Sequence, residues 1–160
     1  MNLSPEDQKK IRHEALQFLR SRTTMVISTV SPQGEPQAAT VYYIVDDAFN
    51  LYFMTSLGSK KCENVTANGK VAFVVGTGPE IVTVQGGGMA IPLDSKEAQV
   101  FFEMIKRIAL QSPYQWPLLM LAKEKGGFCT FKIKPSWMVW LNLHKEQYPD
   151  IASEEFYKII

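Results

Sequence analysis

Five residues within the stretch TSLGSKK carry chemistry that a scaffold alone does not require: Thr55, Ser56, Ser59, Lys60 and Lys61. Hydroxyls and ammonium groups gathered in this way suit an anion, and phosphate above all. Leu51, Tyr52, Phe53 and Met54 just before them are rich in strand formers. A short helix is predicted to begin near Ser59 and to stop at Asn68-Gly69, a good C-terminal pair. Both lysines then fall in the first helical turn, where partial positive charge already gathers and a cation is disfavoured by ~0.3–1 kcal/mol. A phosphate at that point would satisfy the free N–H groups of the turn, the hydroxyls and both charges. The other reading has both lysines pointing into water, and the small penalty leaves it open.

Other candidates are weaker. His13 and His144 have no Cys, His or acid at metal-ligand spacing and read as surface residues. Asp46-Asp47 are adjacent, point apart and suit a solvated turn. No Ser-His-Asp order or nucleophile elbow is present. Tyr114, Trp116, Trp137 and Trp140 could flank a flat ligand, although aromatics at such spacing are more often core. Met89, Met104 and Met120 read as core filler. Gly86-Gly87-Gly88 sits inside a strand pattern, which predicts a bulge or sharp bend. No GxGxxG with a following helix accompanies it, so a nucleotide loop is not indicated.

These residues must be positioned by a chain of 160 residues, 46% hydrophobic and 21% charged, which fits one globular domain with a core of its own. A net charge of +1 and scattered basic residues argue against nucleic acid or an anionic membrane surface as partner. Cys62 and Cys129 lie far apart without a CxxC pair, which predicts neither a disulfide nor a zinc site and suits a reducing compartment. The opening MNLSPEDQKKIRHEALQFLRS lacks an apolar signal core, and no run approaches the ~18 apolar residues of a membrane span. By elimination the expected location is cytoplasmic.

Ser4-Pro5-Glu6-Asp7 is a helix start, followed by Ile11, Ala15, Phe18 and Leu19 at helical spacing. TTMVISTV, QAATVYYIV and LYFMT are strands separated by the turn clusters SPQGEP and DDAFN. KVAFVVG and IVTVQGGGMAI follow the lysine helix. A second long helix opens at Asp94, with Glu97 at capping-box spacing and an apolar face of Ala98, Phe101, Phe102, Ile105, Ile108 and Ala109. QSPYQWP breaks it, LLMLAKEKGG suggests a last short helix, and FCTFKIKP and SWMVWLNL close the chain as two strands. The expected fold is mainly β (α+β), a six- or seven-stranded antiparallel barrel with flanking helices in a single domain, 1–160. Its parts are an N-terminal helix (1–22), a barrel core (23–92), a helical insertion (93–125) and closing strands (126–143). Alternating βαβ units are missing, which argues against a Rossmann fold.

The stretch GEPQAATVYYIVDDAFNLYFMTSLGSKKCENVTANGKVAFVV resembles the pyridoxamine-phosphate oxidase-like FMN-binding split-barrel superfamily, closest to its general-stress-protein-like branch. The similarity runs from Thr23 to Gly86, and TSLGSKK is its most specific part. The resemblance implies a six-stranded split barrel, a homodimer with FMN at the subunit interface, Lys60 and Lys61 on the FMN phosphate, and Thr55 close by. It lays the backbone of Ala39, Thr40, Val41 and Tyr42 along the flavin ring. Met54, Ser56, Ser59 and Trp140 complete the expected cofactor-binding set, and no catalytic side chain is singled out. Some branches of the superfamily take a deazaflavin or heme instead. This chain departs from the pyridoxamine-phosphate oxidases themselves. Ala39 stands where they carry Arg, Ile81 where they present a glutamine, and LNLHKEQYPD replaces their C-terminal Arg-x-His motif. The implied function is therefore a flavin-dependent oxidoreductase with a different small substrate and a nicotinamide as electron donor. The alternatives are a non-catalytic cofactor-binding protein (storage, sensing or stress) and a domain that kept the barrel and lost the cofactor.

Overall fold

The computed structural model describes residues 4–78, 82–111, 127–142 and 156–160. Helix α1 (Pro5–Ser21) begins where Ser4 caps it, its Oγ accepting from the Asp7 N–H at 3.1 Å. Ile11, Ala15 and Leu19 form its buried face. The strands are β1 (Thr24–Val30), β2 (Pro36–Val45), β3 (Leu51–Ser56), β4 (Lys70–Val75), β5 (Val82–Pro92), β6 (Phe128–Asn142) and β7 (Tyr157–Lys158). Helix α2 (Lys60–Ala67) lies between β3 and β4, and α3 (Ser95–Gln111) between β5 and β6. The capping box of α3 forms as its spacing predicts. The Glu97 N–H donates to Asp94 Oδ1 at 2.8 Å, and the Asp94 N–H to Glu97 Oε2 at 3.3 Å.

The strand order is β3-β2-β1-β4-β5-β6-β7, and a further β3–β6 pairing closes the first six strands into an antiparallel barrel. The length of β6 makes this possible. Its first half, Phe128 to Ile133, pairs with β3 on one edge, while Phe131 to Asn142 pairs with β5 on the other. Its far end takes the extra strand β7 at Val139 and Trp140. FCTFKIKP and SWMVWLNL are thus one strand and not two. Pro135 needs no partner for its missing N–H at an irregularity, and the register shifts at this point, between Gly87 and Gly88. The glycine triplet thus marks a register irregularity, but the extra residue, Ser136, lies on the partner strand β6 and not on the glycine strand. A Cβ on Gly88 would stand 2.1 Å from the Lys134 carbonyl oxygen, so only glycine lets β6 come this close.

Inward residues of all six strands fill the barrel, among them Ile27, Tyr43, Phe53, Phe73, Val84, Phe131 and Trp140. The Phe53 and Phe131 rings stack at 5.3 Å, and Phe18 of α1 meets Trp140 edge-on at 5.0 Å. Outside the barrel a second cluster of Met54, Phe101 and Ile105 attaches α3 to the outer face of β2 and β3, with Tyr42, Ile44 and Tyr52 packed against it. Met89 and Met104 are not core filler: they are 46% and 41% exposed. Ala109's side chain, Tyr114, Trp116, Met120, His144 and the expected last helix lie outside the described residues. Among the described residues no helix is long and apolar enough to cross a membrane.

Tyr43 ties α1 to the barrel. Its hydroxyl donates to the Leu19 carbonyl at 2.6 Å, and burial raises its pKa far above the usual phenol value. Only the neutral phenol suits the fold, so its contribution is complete below pH ~10 and falls as pH rises beyond the unfolded-state pKa, by up to ~1.4 kcal/mol per pH unit. Tyr43→Phe should cost ~0.5–1.5 kcal/mol at pH 7. Urea unfolding should show the gap closing or reversing at pH 11. A gap that widens with pH would contradict this assignment.

Candidate functional site

The β2–β3 ladder is short. It pairs Val45 with Leu51, Ile44 with Tyr52 and Tyr43 with Phe53, and ends there. Beyond that point β2 continues through Tyr42, Val41, Thr40 and Ala39 paired to β1 alone, and β3 continues through Met54, Thr55 and Ser56 paired to β6 alone. The barrel is split between these two strands. Among the described residues each presents there an edge without a strand partner, whose main-chain groups can pair with a ligand.

Helix α2 bridges the opening. Asn64 is buried, and its Nδ2 donates to Thr29 Oγ1 on β1 and Gln37 Oε1 on β2, both at 3.0 Å. Cys62 and Val65 are buried on the same helix. The first turn is built as the sequence suggests. Ser59 is the N-cap, its Oγ accepting from the Cys62 N–H at 3.2 Å and lying 3.0 Å from Thr55 Oγ1. Among the described residues the Lys60 and Lys61 N–H groups have no hydrogen-bond acceptor. Lys60 is exposed and Lys61 half-buried. Two free N–H groups, two ammonium groups and a hydroxyl pair thus stand beside the split, and this donor set fits the phosphate end of FMN.

The remaining expected site residues divide by the face on which they lie. Thr40 is exposed and Ala39 half-buried on β2, so small side chains leave the strand approachable. Val41 points into the barrel core, and Met54 is fully buried under α3. Only the main chain of these two can meet a ligand. Ser56 is half-buried at the end of β3. Tyr42 packs under α3. Trp140 requires a correction: it is 1% exposed, locked against Phe18, with no ring face open to a ligand in this chain. The exposed tryptophan of β6 is Trp137.

Two features lay outside the sequence reading. Asn64 was missed because a polar residue on a short helix has no local mark of burial. The cysteines are a direct correction. Cys62 and Cys129 form a disulfide, with Cα atoms 6.0 Å apart across a separation of 67 residues. Closure of the barrel by β3–β6 sets Cys129 opposite Thr55 and so beside α2, which spacing along the chain does not reveal. The argument for a reducing compartment from unpaired cysteines therefore loses its premise.

A separate polar cluster lies under α3, beside a cavity of about 380 Å³ lined by Asp46, Tyr52, Lys96, Glu97, Val100, Phe101 and Met104. The Tyr52 hydroxyl donates to Asp46 Oδ2 at 3.0 Å; burial and then this carboxylate raise its pKa. Lys132 donates to Glu97 Oε1 at 3.2 Å, a bond that raises the lysine pKa. Asp46 also accepts from the N–H groups of Ala48 and Asn50, as a turn acid does. The described residues contain no cluster of His, Cys, Asp and Glu that could hold a metal ion. Among the described residues beside the split, no carboxylate or histidine is hydrogen-bonded to Thr55, Ser59, Lys60 or Lys61.

The sequence model of the family described as pyridoxamine 5'-phosphate oxidase matches residues 11–139. No curated protein matches the sequence. Among solved structures, ChuZ of Campylobacter jejuni superposes with a TM-score of 0.71 at 12% identity, over 99% of this chain and 61% of that one. General stress protein 26 of Bacillus anthracis gives 0.62 at 20% identity, over 92% and 98%. A heme binding protein of Mycobacterium smegmatis gives 0.59 at 15% identity, over 88% and 55%. At these identities the structural likeness is one of fold.

Proposed function

The chain belongs to the pyridoxamine 5'-phosphate oxidase family, and from that premise we propose that it is an FMN-binding flavoprotein acting as an oxidoreductase on a small substrate. One observation carries this reading: the free edges of β2 and β3 part beside the first turn of α2, where Lys60 and Lys61 hold open N–H groups. In this assignment the lysines and the Thr55–Ser59 pair hold the phosphate, and the β2 main chain from Ala39 to Tyr42 follows the ring. FMN supplies the electron transfer when bound, and the protein supplies orientation and electrostatics. That division needs no carboxylate or histidine bonded to Thr55, Ser59, Lys60 or Lys61, and none is found among the described residues. The electron donor is a nicotinamide.

The working unit in this proposal is a homodimer with the cofactor at the interface. Met89, Ile91 and Trp137 support it. They are 40–46% exposed and share the outer face of the β5–β6 pair with Lys132 and Lys134, a mixed apolar and basic surface that a second subunit could cover. The location proposed is cytoplasmic, where a disulfide is characteristically transient and redox-sensing. The heme-binding neighbour keeps heme as the alternative cofactor, and deazaflavin is the other.

Absorbance of the purified protein separates the three cofactors, and anaerobic mixing with reduced nicotinamide separates enzyme from carrier. Flavin bands that bleach promptly are expected. A Soret band, or a protein that takes up no added FMN, would overturn the reading. Sedimentation of apo and FMN-loaded protein over a dilution series should show the cofactor strengthening dimerisation. A monomer that keeps FMN at every dilution would remove the dimer from the proposal.

A further inference from the structure

We propose that the Cys62–Cys129 disulfide is a thiol–disulfide exchange site that sets the affinity of the α2 first turn for phosphate, tight when oxidised and weak when reduced. This rests on the flavin reading above and adds its regulation. The geometry is a closed circuit of four residues. The Cys62 N–H donates to Ser59 Oγ, Ser59 Oγ touches Thr55 Oγ1, Thr55 pairs with Cys129 across the β3–β6 ladder, and Cys129 is bonded to Cys62. The disulfide therefore fastens the first turn of α2 to β6. The second half of the helix is held independently, by Asn64 on Thr29 and Gln37. Breaking the disulfide frees the phosphate-facing end and leaves the rest of α2 anchored.

The two sulfurs are not equivalent. Cys129 is half-buried and Cys62 buried, so an attacking thiolate reaches Cys129 first. A small thiol RS⁻ forms the mixed disulfide with Cys129 Sγ, and Cys62 Sγ leaves with the electron pair of the broken bond. A second RS⁻ attacks the mixed disulfide at its own sulfur, yields RSSR and releases the Cys129 thiolate, and protons from water complete the thiols. The protein gains two electrons, and the reductant is a low-molecular-weight thiol such as glutathione. Cys62 is suited to be the leaving group, because it stands at the third position of α2 behind Lys60 and Lys61, and a helix N-terminus with adjacent cations favours a thiolate.

The same placement gives the sign of the effect. Reduction frees the turn of Ser59, Lys60 and Lys61 from β6, so its N–H groups and lysines no longer hold one arrangement around a phosphate. Oxidation fixes the turn in place. By linkage, FMN must then stabilise the disulfide against reduction by the factor by which reduction weakens FMN.

The test measures FMN and riboflavin affinity by fluorescence on the full-length protein, oxidised and then reduced with a phosphine. It also measures the disulfide midpoint in glutathione buffers with and without FMN. Reduction is expected to weaken FMN at least tenfold and riboflavin little. FMN should make the disulfide harder to reduce by about 30 mV, the equivalent of tenfold for two electrons. Cys129→Ser should match the reduced protein and no longer respond to reductant. Should that variant fail to fold, the wild-type comparison stands by itself. FMN affinity and midpoint that do not change overturn this inference and leave the flavin reading intact. FMN bound in neither state overturns both.

Discussion

Replacing Lys60 and Lys61 together with alanine should weaken FMN binding by a factor of ten at the least while leaving riboflavin binding nearly unchanged. Charge-assisted hydrogen bonds to phosphate are each worth ~1.5–3 kcal/mol, so two of them support a loss of a hundredfold or more. The ring contacts proposed on β2 are untouched by the substitution, which is why riboflavin is the internal control. The substitution should not harm folding. Lys60 is exposed, Lys61 is half-buried, and both sit where a positive charge opposes the helix dipole. The empty double variant should therefore be as stable as the parent or slightly more so. Equal losses for FMN and riboflavin would show that the lysines do not read the phosphate. A marked drop in melting temperature would show that they serve the fold instead.

The residues that made this prediction possible were legible in the sequence because their signals are local. Ser59 as N-cap, the stop at Asn68, the Asp94–Glu97 box and the strand runs up to Met89 are each decided within a few positions. The glycine triplet announced a register irregularity for the same reason. What failed was set by pairing over distance. Pro135 looked like the end of a strand, yet β6 runs through it and takes up the irregularity itself, with one extra residue, Ser136, between the partners of Gly87 and Gly88. Trp140 looked like a ring contact, yet the inward parity of β6 at that position turns it into the core, and Trp137 takes the exposed place. Met54 and Val41 lie on β3 and β2, and their side chains belong to two different cores. The disulfide depends on β6 returning to β3, a contact that no local pattern encodes.

The split is what makes the proposed site possible at this place in the fold. A closed barrel has no strand edges to offer, and a ligand could meet only its side chains. Here the ladder between β2 and β3 stops after three pairs, and the sequence immediately downstream supplies a helix start at the gap. The main chain thus provides the hydrogen-bonding surface, and few side chains need to be specified. This accounts for how the fold persists at 12–20% identity to its structural neighbours.

On the proposed flavin reading, pyridoxamine phosphate should be a poor reductant of the bound cofactor, by on the order of a hundredfold or more relative to a site with a full substrate cradle. Such a substrate brings a second phosphate, which needs its own cluster of cations beside the ring. The β2 strand offers Ala38, Ala39 and Thr40 at its open end and no arginine. Of the two cations on β6, Lys132, opposite Tyr52, is engaged with Glu97, and Lys134 stands opposite Met89 on the outer face of the β5–β6 pair. The stretch LNLHKEQYPD, most of which lies outside the described residues, contributes His144 and Lys145 and no Arg-x-His pair. One flexible lysine cannot give the multidentate hold that an oriented phosphate requires. Losing two charge-assisted contacts costs ~3–6 kcal/mol of transition-state stabilisation. With oxygen excluded, bound flavin should therefore stay oxidised when pyridoxamine phosphate is added at micromolar levels, while reduced nicotinamide bleaches it. Rapid reduction by pyridoxamine phosphate under those conditions would place a substrate cradle in this chain that neither β2 nor β6 accounts for.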